Sequence, residues 1–233
     1  YGGGVCQVST TLYNAVLKAE LEVTQRSNHS MIVTYVKPSM DAAIAGDYKD
    51  LKFVNNLDAP IYIEGYTVGK DIYFNIYGQE TRPSNRKVTY ESEVVSEEDP
   101  GTQFVATGDA VGSISTTQGK HMGYVARLWK IVTVDGVEQS RDAINKSTYK
   151  SSPKIVNVGT ASADPNATAA VNAALATGDE ATIYATVAQY SGAGQTPAET
   201  PAETPADGSA EAAAILGTVD ESQITENTTT EGQ

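Results

Sequence analysis

The 233-residue sequence predicts an α+β protein in three parts: an N-terminal helix packed on antiparallel strands, a small all-β domain, and a disordered tail. Three observations predict this class. Apolar residues near the start repeat at helical spacing, strand-like runs between turn signals fill the middle, and the end is rich in Ala, Thr, Pro and Glu. The predicted domains are residues 1–85, 86–159 and 160–233.

The helix is predicted from Val8, Leu12 and Val16, which keep one apolar face until about Ala19. A glycine run precedes these residues. Cys6 therefore falls in the first turn of the predicted helix.

Strands are predicted after the helix because β-branched and aromatic residues cluster between turn residues. The four predicted runs are 31–36, 51–54, 61–68 and 71–77. The last two flank Gly69-Lys70, a turn that predicts a hairpin.

The second part reads as all-β. Residues 88–94 alternate roughly between apolar and polar, and 124–134 form a long β-prone run. Asp135-Gly136 is a strong signal for a type I′ hairpin turn. Residues 154–158 are expected to close the sheet.

The negative charge lies in the tail. Of the formal net charge of -13, eleven acidic residues and no Lys or Arg fall in 160–233, which leaves -2 for residues 1–159. A Thr-Pro-Ala-Glu repeat at 196–207 predicts an extended linker, and Asp164-Pro165 predicts at most a short helix ending near Gly178. A basic surface for nucleic acid is missing from the sequence, so nucleic acid is not an expected partner.

Cys6 is the only cysteine and the first candidate for chemistry. An isolated cysteine is more often a small buried apolar residue than a nucleophile. A helix start, however, favours a thiolate and offers N–H groups to an oxyanion, and Gly3 and Gly4 would let a substrate approach closely. His29 supplies an imidazole that could activate the thiol, although it could equally be a turn residue.

Other residues are weaker candidates. Asp41, Asp47 or Asp50 could orient His29, and Arg26 could bind a substrate carboxylate, with a surface role as the alternative. Trp129 and Tyr124 could stack on a sugar or pack in a core. His121 is expected to be a solvated loop residue. One cysteine and two distant histidines match no zinc spacing, so neither a metal nor a cofactor is expected.

Several motifs in order resemble the VanW-like family of bacterial envelope proteins. They are YGGGVCQVSTTLYNA at 1–15, QRSNHS at 25–30, YV at 35–36, DAA at 41–43 and DLKFVNN at 50–56. The resemblance covers roughly residues 1–80. It implies that the domain extends upstream of the glycine run, so the chain, which opens on Tyr1, is expected to be a fragment.

Residues 86–159 resemble the five-glycine domain, a β module found beside VanW-like domains, with a proposed affinity for N-acetylglucosamine. Gly119, Gly123, Gly136 and the closing 158–160 carry the resemblance.

The resemblance implies a Gram-positive protein of the cell wall or outer membrane face that acts on peptidoglycan stem peptides and glycan. Some VanW-like proteins are L,D-transpeptidases that form 3-3 cross-links through a cysteine, which maps onto Cys6, with a histidine mapped onto His29 and with Asp41 retained. Other members are known mainly by association with glycopeptide resistance. The alternative is therefore a non-catalytic cell-wall-binding protein associated with envelope maintenance or glycopeptide resistance. Ser39-Met40 departs from the pattern, because a glycine and often a basic residue precede the aspartate there.

Apolar runs in the sequence fall short of the roughly 18 residues of a membrane span. Contact with a membrane is therefore expected only through a segment upstream of Tyr1.

Overall fold

The computed structural model describes residues 3–191. Its helices and strands, in chain order, are α1 (Val5–Lys18), β1 (Glu22–Gln25), β2 (Lys52–Val54), β3 (Tyr62–Val68), β4 (Asp71–Tyr77), β5 (Arg86–Glu98), β6 (Thr102–Ala110), β7 (Ile114–Gln118), β8 (Gly123–Val134), β9 (Val137–Tyr149), β10 (Lys154–Ala161), α2 (Pro165–Thr177) and α3 (Glu180–Tyr190). The predicted α+β class is confirmed.

The N-terminal region, residues 3–77, combines α1 with two small antiparallel sheets, β1-β2 and the β3-β4 hairpin. The hairpin turns at Gly69, whose φ of 62° lies in the left-handed region that glycine adopts without strain. Both the helix and the hairpin form where the sequence predicts them, because each depends on local spacing and turn residues.

The β module, residues 86–161, holds two three-stranded sheets. In the first, β8 lies between β5 and β9, and Asp135 and Gly136 both have positive φ in the β8-β9 turn, as a type I′ hairpin requires. In the second, β10 pairs parallel to β6 and antiparallel to β7. The strand expected to close a single sheet therefore forms the centre of another.

Two cores stabilise the part of the chain that the structure describes. One joins the N-terminal region to the β module through Tyr13, Leu17, Ala42 and Leu128. The other packs α2 and α3 on β10, with these buried members: Val156, Val158, Val171, Ala174, Ile183 and Val187.

The strand predicted at 31–36 is wrong. This segment has no strand assignment in the described structure, and Met31 is 44% exposed. β-propensity expresses how a side chain fits a paired, half-buried sheet. Just before this segment, the Ser30 carbonyl accepts a hydrogen bond from the Lys150 amide. This bond anchors the loop to the end of β9.

The short helix predicted from Asp164-Pro165 to near Gly178 is confirmed as α2, which is capped by Asp164 and Gly178. The disorder predicted for the rest of the tail is wrong as far as Tyr190, since β10 continues to Ala161 and α3 follows α2. Asp164 caps α2 through the amide of Asn166, and Asp179 caps α3 through that of Thr182. The few larger apolar residues that pack these helices into the core are difficult to recognise in an Ala-rich sequence. The Thr-Pro-Ala-Glu repeat lies outside the described residues.

Candidate functional site

The candidate site is built around a short extended segment, residues 41–44, that lies between α1 and residues 26–29. On one side, Ser9 Oγ donates to the Ala42 carbonyl at 2.5 Å, and the Ala42 amide donates to Thr10 Oγ1 at 3.0 Å. On the other side, the Ala43 amide donates to the Ser27 carbonyl at 2.8 Å. Side chains of α1 on one side and the backbone of residues 26–29 on the other thus hold the segment from both edges.

Asp41 is fully buried at the start of this segment, and both of its carboxylate oxygens have partners. Oδ1 accepts hydrogen bonds from Arg26 Nη2 at 2.8 Å and from the Tyr149 hydroxyl at 2.5 Å. Oδ2 accepts one from the His29 amide at 2.7 Å and lies 2.7 Å from His29 Nδ1. We call Arg26, His29, Asp41 and Tyr149 the Asp41 cluster.

The charge of this buried carboxylate is stabilised. Burial alone would raise the pKa of Asp41, but the hydrogen bonds from His29 and Tyr149 and the charge of Arg26 outweigh burial and hold that pKa below its usual range. The same burial, together with the nearby Asp41 charge, raises the pKa of Tyr149. The phenol therefore stays protonated and acts as a neutral donor.

The His29 ring is oriented by these contacts. Because ionised Asp41 can only accept, Nδ1 carries the proton and Nε2 of the neutral ring is an acceptor. Nε2 lies 3.3 Å from the Tyr35 hydroxyl, and the side chain is 18% exposed. This is the tautomer that a general base needs for proton transfer at Nε2.

Cys6 lies in the first turn of α1, as predicted, and is partly exposed. Its thiol donates to the Ile44 carbonyl, with 3.6 Å between Sγ and the oxygen. Gly4 is the N-cap and provides no side-chain cap, and the first helical bond runs from Val8 to the Gly4 carbonyl. The amides of Val5 and Cys6 precede that bond and point out of the positive end of the helix.

The structure brings His29 and Asp41 into contact, but it does not join Cys6 to His29. Within residues 3–191, the hydrogen bond of the thiol goes to Ile44, and those of the ring go to Asp41 and Tyr35. Asp41 and Ile44 are three residues apart, a span of at most about 10 Å even in extended chain. Thiol and imidazole therefore border the same short segment without touching.

The two glycines before the helix are exposed, and a Cβ built on Gly3 or Gly4 would meet nothing within 4 Å. Packing does not require glycine at either position. Arg26 differs from its prediction as a ligand for a substrate carboxylate. Its side chain is only 7% exposed, and its donors go to Asp41 and to Ser147 Oγ, which leaves no open fork in this structure.

Ser39, which stands where the family pattern has glycine, has a φ of 68° and is fully buried. The left-handed backbone explains the usual glycine, since a side chain there costs roughly 1–2 kcal/mol. In this chain the serine hydroxyl makes a 2.8 Å bond with Ser147 Oγ. That bond offsets part of the strain.

The remaining candidates lie apart from the Asp41 cluster. Asp47 is exposed, while Asp50 accepts from the next amide, that of Leu51. His121 forms an isolated bridge with Ser152. Among residues 3–191 no group of three or more ligating side chains is placed to hold a metal ion.

Sequence reasoning missed the residues that the β module contributes. Tyr149 and Ser147 lie on β9, more than 100 positions after the side chains they contact. Both residues are buried at a spacing of two in a strand whose other residues are mostly exposed, and this pattern is visible only in the structure.

Comparison with known proteins matches both halves of this architecture. Residues 1–77 match the profile of VanW-like proteins, and residues 81–161 match that of the G5 domain. The uncharacterized protein YoaR of Bacillus subtilis (strain 168) is 39% identical over 79 residues, which are 34% of this chain and 26% of that protein. The chain thus spans about a quarter of the length of this curated relative.

Two solved structures are also similar to part of the chain. The G5 domain of an IgA1 protease is 25% identical, with a TM-score of 0.27, and the match covers 33% of this chain and 94% of that one. HP0197-G5 is 20% identical, with a TM-score of 0.18, and the match covers 31% and 99%.

A helix and small sheets, with a cysteine shortly after a glycine run, are joined to a β module and define a two-module protein. The two family matches point to a protein associated with the cell wall. Residues 1–77 are thus similar to VanW-like proteins and residues 81–161 to the G5 domain, in the order that the sequence motifs predict, and the two parts are called the VanW-like region and the G5 domain below. Within residues 3–191, no helix is both long and apolar enough to cross a bilayer.

Proposed function

We propose that this protein performs cysteine-dependent acyl transfer on peptidoglycan stem peptides, of the L,D-transpeptidase type, outside a Gram-positive cell. The observation that carries the proposal is the His29 ring, held through Nδ1 by buried Asp41, at one end of the segment 41–44 whose other end contacts Cys6, the only cysteine of the chain. An oriented imidazole with an accepting Nε2 is the partner that a thiol nucleophile requires.

The first step is activation of the thiol. The Cys6 proton, directed at the Ile44 carbonyl in the resting structure, is transferred to His29 Nε2 once substrate closes the gap between them. The thiolate turns away from the carbonyl oxygen towards the helix amides, whose dipole favours negative charge. Asp41 offsets the charge of the imidazolium that forms.

The acyl-transfer step then follows with its atoms balanced. The sulfur attacks the carbonyl carbon that precedes the terminal D-residue, and the amides of Val5 and Cys6 stabilise the oxyanion. The C–N bond breaks, the departing amine of D-alanine takes the proton from His29, and a thioester is left on Cys6. An amine of a neighbouring stem gives its proton to His29, attacks the thioester and releases the sulfur, which forms a 3-3 cross-link. Water in place of the amine gives carboxypeptidase activity.

The exposed glycines fit close substrate approach. Since a Cβ at Gly3 or Gly4 would meet nothing within 4 Å apart from adjacent backbone, the described structure leaves space at the two positions that precede the first turn of α1. Gly4→Ala replaces the N-cap of α1 with a poorer capping residue and should lower the free energy of unfolding by about 1 kcal/mol at most, which leaves the protein folded. A loss of acylation in that variant would therefore report on the substrate.

Intact-protein mass spectrometry of the chain incubated with a stem tetrapeptide tests the proposal. The expected result is an acyl adduct on the wild type that is absent in Cys6→Ala and strongly reduced in His29→Gln. His121→Gln is the matched control, because His121 lies in the β module and contacts Ser152 instead. An adduct that persists in Cys6→Ala would show that Cys6 is not the nucleophile.

The second candidate is a non-catalytic wall-binding protein, and one observation favours it: the thiol donates to a backbone carbonyl and not to the imidazole. In this case the G5 domain binds glycan through N-acetylglucosamine units, and half-buried Trp129, whose indole donates to Glu93, supplies a stacking face. Retention on purified wall glycan should then fall in Trp129→Ala and not in the control Tyr48→Ala, an exposed residue of the N-terminal region. Wild type would form no acyl adduct.

A further inference from the structure

One face of β9 is aimed at the N-terminal region. Asn145, Ser147 and Tyr149 alternate along the strand, so their side chains share a face. Ser147 and Tyr149 are buried, with exposures of 0% and 2%. Asn145 Nδ2 donates to the Ser39 carbonyl at 2.9 Å and to the Tyr13 hydroxyl at 2.6 Å. The polar side chains on this face of β9 thus contact the N-terminal region.

The direction of the Tyr149 hydrogen bond is fixed. The Ser39 amide donates to the Tyr149 oxygen at 2.7 Å. A phenol has one proton, and with its oxygen already accepting, that proton points at Asp41 Oδ1, 2.5 Å away. The hydroxyl is therefore a committed donor to the carboxylate.

Ser147 acts on the same carboxylate through Arg26. Its oxygen accepts from Arg26 Nη1 at 2.8 Å, while Nη2 of the same guanidinium donates to Asp41 Oδ1. Because the guanidinium is planar, fixing one nitrogen fixes the direction of the other. Tyr149 and Ser147 of β9 thus fix the two hydrogen bonds that Asp41 Oδ1 accepts, the first directly and the second through Arg26.

We propose that Tyr149 and Ser147 are positioning residues for the Asp41–His29 pair, so that the G5 domain completes the candidate site of the VanW-like region. With Oδ1 held by two donors, the carboxylate cannot rotate, and Oδ2 faces Nδ1 of His29. The VanW-like region without β9 keeps His29, Asp41, Arg26 and the His29 amide, but it lacks the Tyr149 donor and the Ser147 oxygen that orients Arg26. The effect of this positioning on catalysis rests on the proposed function, whereas the positioning itself can be measured without any turnover.

The test compares Tyr149→Phe with wild type in the full chain, using long-range ¹H–¹⁵N NMR of the histidine rings. Wild type should show His29 mainly as the Nδ1–H tautomer. Loss of the phenol proton should lower the fraction of that tautomer, with His121 unchanged as the internal reference. The acylation rate should fall about 10-fold to 100-fold, the effect of one hydrogen bond to a charged group.

Tyr73→Phe is the matched control, because Tyr73 lies on β4, is 39% exposed and stacks on Tyr66. It should leave tautomer and rate unchanged. Ser147→Ala is the second variant. This change removes a small neutral hydroxyl, so the measurement remains possible if Tyr149→Phe does not fold. The fraction of the Nδ1–H tautomer should fall in this variant too, but by a smaller amount.

The outcomes separate the two proposals. A wild-type His29 tautomer in both β9 variants would overturn the positioning role, whether or not wild type acylates. A changed tautomer together with no adduct on wild-type protein would support positioning and overturn the transferase function. A fall in acylation without any change in the tautomer would also overturn the positioning role, because the β9 groups would then act by another route.

Discussion

Two acidic residues of the VanW-like region accept hydrogen bonds from the G5 domain, and they do so in different surroundings. Asp41 is fully buried and meets one permanent cation, Arg26, together with neutral donors. Glu20 has a side chain 12% exposed and meets three cations, Arg82, Arg86 and Lys130, which with it form the Glu20 cluster.

The electrostatic consequence differs accordingly. Hydrogen bonds and charges from Arg86, Lys130 and Arg82 outweigh partial burial and lower the pKa of Glu20 to about 2. The Glu20 cluster holds two modules together at their solvent-facing edge and has no further group to orient. The Asp41 cluster also joins the modules, but it uses one carboxylate oxygen for docking and the other for His29. Glu20 thus contributes only to docking of the two modules, whereas Asp41 contributes both to that docking and to the geometry of the candidate site.

Asp41→Asn should have the largest effect. The change keeps the shape of the side chain but removes its charge, which leaves Arg26 buried without a counter-charge and sets an amide donor against other donors. Losing one partner of a buried pair costs about 3–5 kcal/mol. Urea unfolding of the full chain measures this cost, and acylation should be lost in parallel. A loss below about 1 kcal/mol would show that Asp41 is not the anchor described above.

Glu20→Gln should have an intermediate effect on stability and none on acylation. Charge-assisted hydrogen bonds contribute about 1.5–3 kcal/mol, and solvent screening at this edge reduces the expected loss to about 1–2 kcal/mol. Because the folded pKa is depressed, the stabilisation is present above about pH 4.5 and is lost as pH falls towards 2.

Unfolding of wild type and Glu20→Gln from pH 7 to pH 2 measures that difference, which should shrink with acid. An acylation defect in Glu20→Gln would contradict the separation of docking from site geometry.

The elements that the sequence predicts well are those determined locally. The spacing of Val8, Leu12 and Val16 predicts α1, and Asp135-Gly136 predicts the hairpin turn, because each signal lies within a few residues of its effect. The pairing of His29 with Asp41 follows from matching motifs in order, since the resemblance retains this aspartate among three candidates.

What could not be predicted depends on contacts distant in sequence. Tyr149 reaches Asp41 across 108 positions, and its role appears only when β9 is placed against the first region. Residues 31–36 have strand-forming side chains but lack a paired edge in the described structure. The helices α2 and α3 are stabilised by burial of residues such as Ile183 on β10, a contact that Ala-rich composition does not reveal.

Arg82→Ala should have the smallest effect and sharpens the contrast between the two acids. Arg82 is 39% exposed and is shared between Glu20 at 3.2 Å and the nearby Glu80. Exposed ion pairs contribute about 0–1 kcal/mol because water screens them and long side chains lose entropy. Glu20 keeps Arg86 and Lys130 in this variant, so the expected loss is about 0.5 kcal/mol or less.

Urea unfolding of Arg82→Ala at low and at high salt measures this effect, and the difference from wild type should decrease as salt screens the pair. A loss as large as that of Glu20→Gln would mean that the cluster depends on its most exposed member. The carboxylate would then need all three cations to hold the modules together, and the solvent-facing edge would be as tightly coupled as the buried one.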